Sequence, residues 1–298
     1  MSIRARPRSS PRMRPGLRAA GLFLGLFPGA VSSLRVLGDL AHDQVAERRQ
    51  GLNQTEVDHL VGLLSPAARE LFPTAGRALQ GLSAAYEGHA LDPFYIDGTS
   101  FGQRFDAAYS KIGEASLYGE ILPSSVVGML ASAGARPGMK YYDLGSGFGK
   151  TVVLAGLMGL DATGVELIDQ RWHGACDALR RATSPLSGLR PGMAKMVRGD
   201  ILKYDFSDAD VVFTDSLAFG EDMMDKLSQA ARRMRPGTKI ITAQPLDRAW
   251  FKDVGVFTGP STWAPDSEWM IQEVRAPAAG DGPRSLGERG EEMESCSA

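Results

Sequence analysis

The spacing of apolar and polar positions divides the chain into a helical front and a body of short apolar runs separated by helical stretches. Between Leu34 and about Ser116, apolar residues recur at helical intervals; Leu52, Val57, Leu60, Val61 and Leu64 follow the cap-like Asn53-Gln-Thr-Glu56. An Asn followed three residues later by Glu satisfies the free N–H groups at a helix start. Ser65-Pro66 opens a second helix with Pro in its first turn, carrying Leu71 and Phe72 until Pro73 stops it. His59 and His89 fall in this region and read as surface or capping residues. Past residue 117 the period shortens. Strands are predicted at Tyr141–Asp143, Thr163–Glu166, Met196–Leu202, Ala209–Ser216 and Lys239–Gln244, with helices over Val126–Ala133, Thr151–Leu160, Asp169–Thr183 and Asp222–Met234 between them. Such alternation specifies an α/β architecture with a parallel sheet. Two further runs, Val254–Phe257 and Trp269–Val274, stand at hairpin spacing and predict an antiparallel edge.

The centre of this body is Tyr141 to Glu166. It is a strand closing on Asp143, a loop with Gly145, Ser146, Gly147 and Gly149, an apolar helix, and a second strand closing on Glu166. A strand, glycine turn, helix and acid-terminated strand is how a Rossmann-like sheet holds a nucleoside, the acid accepting from ribose hydroxyls. The spacing differs from the dinucleotide fingerprint, and Asp143 precedes the loop. A carboxylate there repels a pyrophosphate and suits an ammonium, which favours S-adenosyl-L-methionine over a nicotinamide dinucleotide. Ligands of such sheets lie outside the carboxyl ends of the strands, so Asp200 and Ile201, after the third strand, are expected beside the adenine. Asp215 and Ser216, after the fourth, are expected across the cleft.

Composition narrows the partners. The chain has 298 residues, 43% hydrophobic and 23% charged, with a formal net charge of -2, so no whole-molecule field draws it to nucleic acid. The two cysteines, Cys176 and Cys296, have no metal-ligand spacing and give no support to a disulfide framework or a zinc site. Trp172, His173 and Cys176 fall at helical spacing and read as packing and surface residues. Residues 1–33 carry six arginines without an acid ahead of the apolar run Ala19–Val31, which is too short to span a membrane comfortably and has the length of a signal-peptide core. Targeting to a secretory or organellar compartment and a basic arm for acidic partners both stay open. The domain reading is therefore 1–33 targeting or basic segment, 34–116 helical annex, 117–275 catalytic sheet, and 276–298 a tail without apolar period.

Several separated stretches agree with one family. Tyr118-Gly-Glu-Ile-Leu, Asp143-Leu-Gly-Ser-Gly-Phe-Gly, Gly164-Val-Glu, Arg198-Gly-Asp-Ile-Leu, Leu217-Ala-Phe-Gly and Ser261-Thr-Trp263 occur in order between about Tyr109 and Val274. In this the chain resembles the disruptor-of-telomeric-silencing (Dot-one-like) lysine methyltransferases, histone enzymes built on a Rossmann-like seven-stranded methyltransferase sheet. The resemblance implies a methyl donor held by Tyr118, Glu120, Asp143, Gly145, Ser146, Gly147, Glu166, Asp200 and Ile201. It implies Asp215 and Ser216, in place of two asparagines, beside the transferring methyl, and Trp263, with Trp269, lining the acceptor channel. Lys150 stands where the family often has Gln. The expected partner is a protein acceptor, with a histone as one candidate, and the nucleus as the compartment the family implies. A small-molecule or RNA acceptor and a non-catalytic donor-binding scaffold remain the alternatives, with no metal required. Asp215 can orient an amine, accept its proton, or mark an acceptor other than lysine; orientation of an amine is the reading taken.

Overall fold

The computed structural model describes residues 52–87, 119–276 and 293–298; Tyr118, His89, residues 1–33 and most of the segment after Ala276 lie outside the described residues. The sheet-forming body holds β1 (Lys140–Leu144), β2 (Asp161–Glu166), β3 (Ala194–Arg198), β4 (Val211–Thr214), β5 (Lys239–Thr242), β6 (Phe251–Gly259), β7 (Ser267–Val274) and a last strand, β8 (Ser295–Ser297). Their order is β6-β7-β5-β4-β1-β2-β3-β8. The pairings β5-β4, β4-β1, β1-β2 and β2-β3 are parallel, and the β6, β7 hairpin runs antiparallel on β5. The first seven strands form the Rossmann-like sheet read from the sequence, with its reversed edge.

Adjacent strand residues feed opposite cores. Tyr141 enters one apolar cluster with Val152, Leu154, Leu130 and Leu179, while Tyr142 enters the other with Val165, Met224 and Leu227, as the two-residue period of a strand requires. Helices α4 (Pro123–Ser132), α5 (Lys150–Leu157) and α6 (Asp169–Ala182) contribute to the first cluster, and α7 (Glu221–Ala231) to the second. The annex, α1 (Gln54–Gly62), α2 (Pro66–Leu71) and α3 (Ala75–Tyr86), packs over α4, α5 and α6. Because α5 is covered by both sheet and annex, it is apolar nearly all round. The start signals act as read: Asn53 and Glu56 form a reciprocal capping box, and the Ser65 hydroxyl accepts from the Ala68 N–H.

Two expectations fail at the C-terminus. The tail is not structureless at its end: β8 pairs antiparallel with β3, Cys296 opposite Met196. Cys176 and Cys296 are joined by a disulfide, with Cα atoms 5.9 Å apart and 120 residues between them in sequence. Three alternating residues carry too little apolar pattern to read as a strand, and the cysteine partners meet because helix α6 packs across both β3 and the edge strand β8.

One annex residue reaches the centre of the body. The Tyr86 hydroxyl donates to the carbonyl of Phe148, inside the glycine loop, at 2.5 Å in a fully buried setting. Burial also pushes its phenol well above the ordinary tyrosine range, so it remains a donor. Tyr86→Phe leaves that carbonyl unpaired and is expected to cost roughly 1–2 kcal/mol in urea unfolding; an unchanged midpoint would show the annex does not brace the loop.

Candidate active site

The chain runs β1, β2, β3 outward in one direction and then returns to place β4 on the other side of β1. A crevice opens at the carboxyl ends of strands where the order reverses in this way. A cleft open to solvent lies there. Gly119, Glu120 and Ile121 form one wall; Asp143, Gly145, Ser146 and Gly147 form the floor; Lys150 and Thr151 come from α5, and Phe213 and Asp215 from the end of β4. Sheet order sets Asp215, Asp143, Glu166 and Asp200 at the ends of successive strands. Three inter-strand gaps span roughly 14 Å, the reach of a nucleoside bearing an amino-acid tail.

Glycine at 149 is dictated by geometry. It sits at φ 77° ahead of α5, and a Cβ there would meet the Met196 Cε at 2.3 Å. Glycine at 119 has a different reason. A Cβ at 119 would lie 2.5 Å from the Trp263 ring, so the glycine of the Tyr118-Gly-Glu box exists to let the indole lie against the backbone. The same segments are stitched together by Thr262 N–H to the Glu120 carbonyl at 2.8 Å, Glu120 N–H to the Thr262 hydroxyl at 3.0 Å, and a bridge between Ile121 and Ser261. The Ser-Thr-Trp motif therefore supports the cleft wall formed by 119–121. Trp263 is not among the cleft-lining residues; it is 39% exposed and meets the fully buried Trp269 edge-on at 6.3 Å.

Charge in the cleft is unbalanced. Glu120 and Lys150 form an ion pair with both side chains nearly out of solvent. Asp143 accepts from the Thr151 hydroxyl, and burial, with the neighbouring carboxylates Glu166 and Asp215, pushes it up to about 7. Burial likewise pushes Asp215 up to about 6. The Trp269 indole and the Leu217 N–H act against that shift, yet neither Asp215 Oδ1 nor Trp269 Nε1 has a partner at hydrogen-bonding geometry. Ser146 Oγ is also buried without a partner. Two carboxyl groups and an idle hydroxyl in one cleft suit a cationic ligand with hydrogen-bond donors, which fits the sulfonium and ammonium of S-adenosyl-L-methionine.

The other expected residues lie near the cleft without lining it. Glu166 is buried; its oxygens accept from the N–H groups of Gly147 and Ile168, each at 2.7 Å. Burial raises its carboxyl and these bonds oppose the shift. Asp200 closes a turn, accepting from the Leu202 N–H at 2.9 Å, and Ile201 is buried in the second core cluster. Ser216 is turned away from the cleft. It is fully buried and its hydroxyl accepts from the Gln244 N–H at 3.2 Å, because the loop after β4 is anchored to the loop after β5. Gln244 was not read from the sequence. Its side-chain amide donates to the carbonyls of Ser216, Leu217 and Phe219 at 2.7, 3.2 and 2.8 Å, fixing the turn that follows Asp215. A lone Gln past a strand carries no motif; only the fold reveals three carbonyls converging on it. Among the described residues no group of His, Cys, Asp and Glu could hold a metal ion, and no helix is long and apolar enough to cross a membrane.

Two measurements probe this geometry. For Asp143 the folded carboxyl holds its proton more tightly than the unfolded one, near 3.8. Ionising it therefore costs nothing below that value, costs progressively more up to about pH 7, and costs a constant amount above. Unfolding free energy should decline across that window in the wild type. Asp143→Asn should flatten part of the decline and leave the ligand-free protein about 1–3 kcal/mol more stable than wild type at pH 8; parallel curves would contradict the burial argument. Gln244→Ala should speed amide hydrogen exchange at Leu217–Gly220 roughly tenfold or more, equivalent to one lost bond of about 1.4 kcal/mol. Unchanged exchange there would mean the loop holds itself.

Residues 107–254 match the family described as histone methylation protein DOT1. A relative from Emericella nidulans, described as an H3 lysine-79 specific histone-lysine N-methyltransferase, is 30% identical over 142 residues, 44% of this chain and 28% of the relative. A relative of the same description from Aspergillus fumigatus is 30% identical over 152 residues, 47% of this chain and 30% of the relative. The chain thus spans under a third of the length of these relatives. An RNA methyltransferase from Salinibacter ruber, solved with S-adenosyl-L-homocysteine, is 22% identical, covering 52% of this chain and 94% of that one at a TM-score of 0.39. The match between residues 107 and 254 takes in the glycine loop, the acid-ended strands and the Ala-Phe-Gly turn, and over that span the chain is similar to the DOT1 histone-methylation family.

Proposed function

We propose that the protein is an S-adenosyl-L-methionine-dependent methyltransferase whose acceptor is the side-chain amine of a protein lysine, with a histone as the first substrate to test. The observation that carries this is the pair Asp143 and Asp215, facing one cleft with no cation among the groups that shift them. The DOT1 family match and the H3 lysine-79 specificity of the fungal relatives support the choice of acceptor.

The donor, when bound, supplies a methyl group on a sulfonium, open to in-line attack by a lone pair. Asp143 pairs with the ammonium of the donor's amino-acid end, and the Ser146 hydroxyl and the backbone of Gly145 and Gly147 hold the rest of that end. Glu166 turns the lone pairs left by Gly147 and Ile168 to the ribose hydroxyls. Asp200 and Ile201 take the adenine side, and Glu120, with Gly119 and Ile121, closes one wall of the cleft. Lys150 neutralises Glu120, which leaves the charge demand of the cleft to Asp143 and Asp215.

Asp215 is the acceptor-side group. A buried carboxylate favours the ammonium form of a lysine, so it draws the side chain in and fixes its direction. Raised to about 6, it remains largely ionised at neutral pH and can take up the proton that must leave before the nitrogen attacks. Desolvation against Phe213, which lines the cleft beside Asp215, lowers the amine's own proton affinity. Ser216 acts on this only through the loop it shares with Gln244. A histone acceptor would place the enzyme in the nucleus.

Donor binding should be measurable by calorimetry and should strengthen from pH 6 to 8 as Asp143 ionises, a dependence that Asp143→Asn removes along with roughly tenfold or more of the affinity. No heat at millimolar donor would end the donor reading. With labelled donor and core histones or a lysate, label should appear in material destroyed by protease and spared by nuclease; the reverse would give the acceptor to RNA. Asp215→Asn should lower kcat/KM for the acceptor by about tenfold or more while donor affinity stays within a fewfold. Higher activity in that variant would exclude an essential carboxylate.

A further inference from the structure

The C-terminal strand begins beside the part of the sheet assigned above to the adenine and runs antiparallel to β3 away from it. The Arg198 N–H donates to the Glu294 carbonyl at 2.9 Å, the Ala298 N–H to the Ala194 carbonyl at 3.0 Å, and the Gly192 N–H to the Ala298 carbonyl at 3.1 Å. Arg198 also forms an ion pair with Glu294 at 3.0 Å and lies over the Trp172 ring at 5.6 Å. One residue before this ladder, Met293 lies on Gly199. A Cβ at 199 would stand 2.1 Å from its sulfur, and the Met293 side chain packs against the cluster that contains Ile201 and Val165. Gly199 is where β3 turns into Asp200 and Ile201, and its N–H is held by the carbonyl of Glu166. The same six residues are tied covalently to α6 through Cys176 and Cys296.

We propose that Met293–Ala298 is a clasp that completes the donor site, with Met293 a positioning residue for Gly199–Ile201 and the Cys176–Cys296 bond making donor affinity depend on redox state. The proposal rests on the donor reading given above. A three-residue strand held by a short ladder is a weak attachment once its covalent tie is cut. Reduction by a dithiol breaks the S–S bond: the dithiol gives two electrons and two protons, becomes a disulfide itself, and leaves Cys176 and Cys296 as thiols. Disulfides persist in oxidising compartments and are opened in reducing ones, so the clasp would report the redox state of its surroundings through donor occupancy.

The test compares the full chain oxidised, treated with dithiothreitol, and as Cys296→Ser, titrating S-adenosyl-L-homocysteine and adenosine by calorimetry while circular dichroism confirms the fold. The reduced and Cys296→Ser proteins should bind both ligands at least fivefold more weakly than the oxidised protein, and oxidised glutathione should restore only the wild type. Met293→Gly keeps the disulfide and should show a similar loss, for adenosine as much as for the full ligand, with Met293→Leu restoring it; a purely stabilising strand would not single out the adenosine half. Equal affinity in oxidised, reduced and Cys296→Ser proteins, or unchanged affinity in Met293→Gly, would overturn the clasp and leave the donor reading intact. Failure of the oxidised wild type to bind either ligand would overturn the donor reading and the clasp together.

Discussion

Asp143 is a carboxyl group removed from water whose charged neighbours are other carboxyl groups. Burying a charge in that way is costly unless something compensates it, and a fold that retains it must recover the energy from a ligand. Much of the architecture keeps this unfavourable arrangement in place. The sheet order aligns the acid-ended strands. The Thr151 hydroxyl points at Asp143 from the first turn of α5, and the annex secures the loop above it through the Tyr86 hydroxyl. Glu120 pairs with Lys150, the lysine that lines the cleft. The pairing keeps the lysine cation from relieving the strain at Asp143, which leaves that work to the ligand.

The sequence made the central sheet readable because each signal there is local. Alternation of period, a capping box at Asn53 and Glu56, and acids closing successive strands need only short windows of chain. Boundaries moved by a few residues, β3 ending at Arg198 and β4 at Thr214, since hydrogen-bond pairing stops before the apolar run does. A strand-end position fixes which residue is near the cleft and not which way its side chain turns, so the contact of the Ser216 hydroxyl with Gln244 is not legible in the sequence.

What stayed hidden were pairings between distant residues. Gly119 is required by Trp263, Ser216 is held by Gln244, and Cys176 meets Cys296. None has a fixed spacing, so each depends on the completed fold. The second fixes the turn after Asp215, on the acceptor side, which explains why that half of the site was the less legible one. The donor side is built largely from one continuous stretch, Tyr141–Glu166, and could be read from it.

The bond between Cys176 and Cys296 closes a covalent ring. β3 to β8 and α7 lie inside it, with Asp200, Asp215 and Gln244; β1, β2, Asp143 and Glu166 lie outside. A single cut by a protease anywhere between the two cysteines would therefore not divide the molecule. Both products would stay linked through α6, with their share of the sheet in register, until the sulfurs were reduced. In this chain backbone continuity and molecular integrity are separate properties, and the second is governed by thiol chemistry.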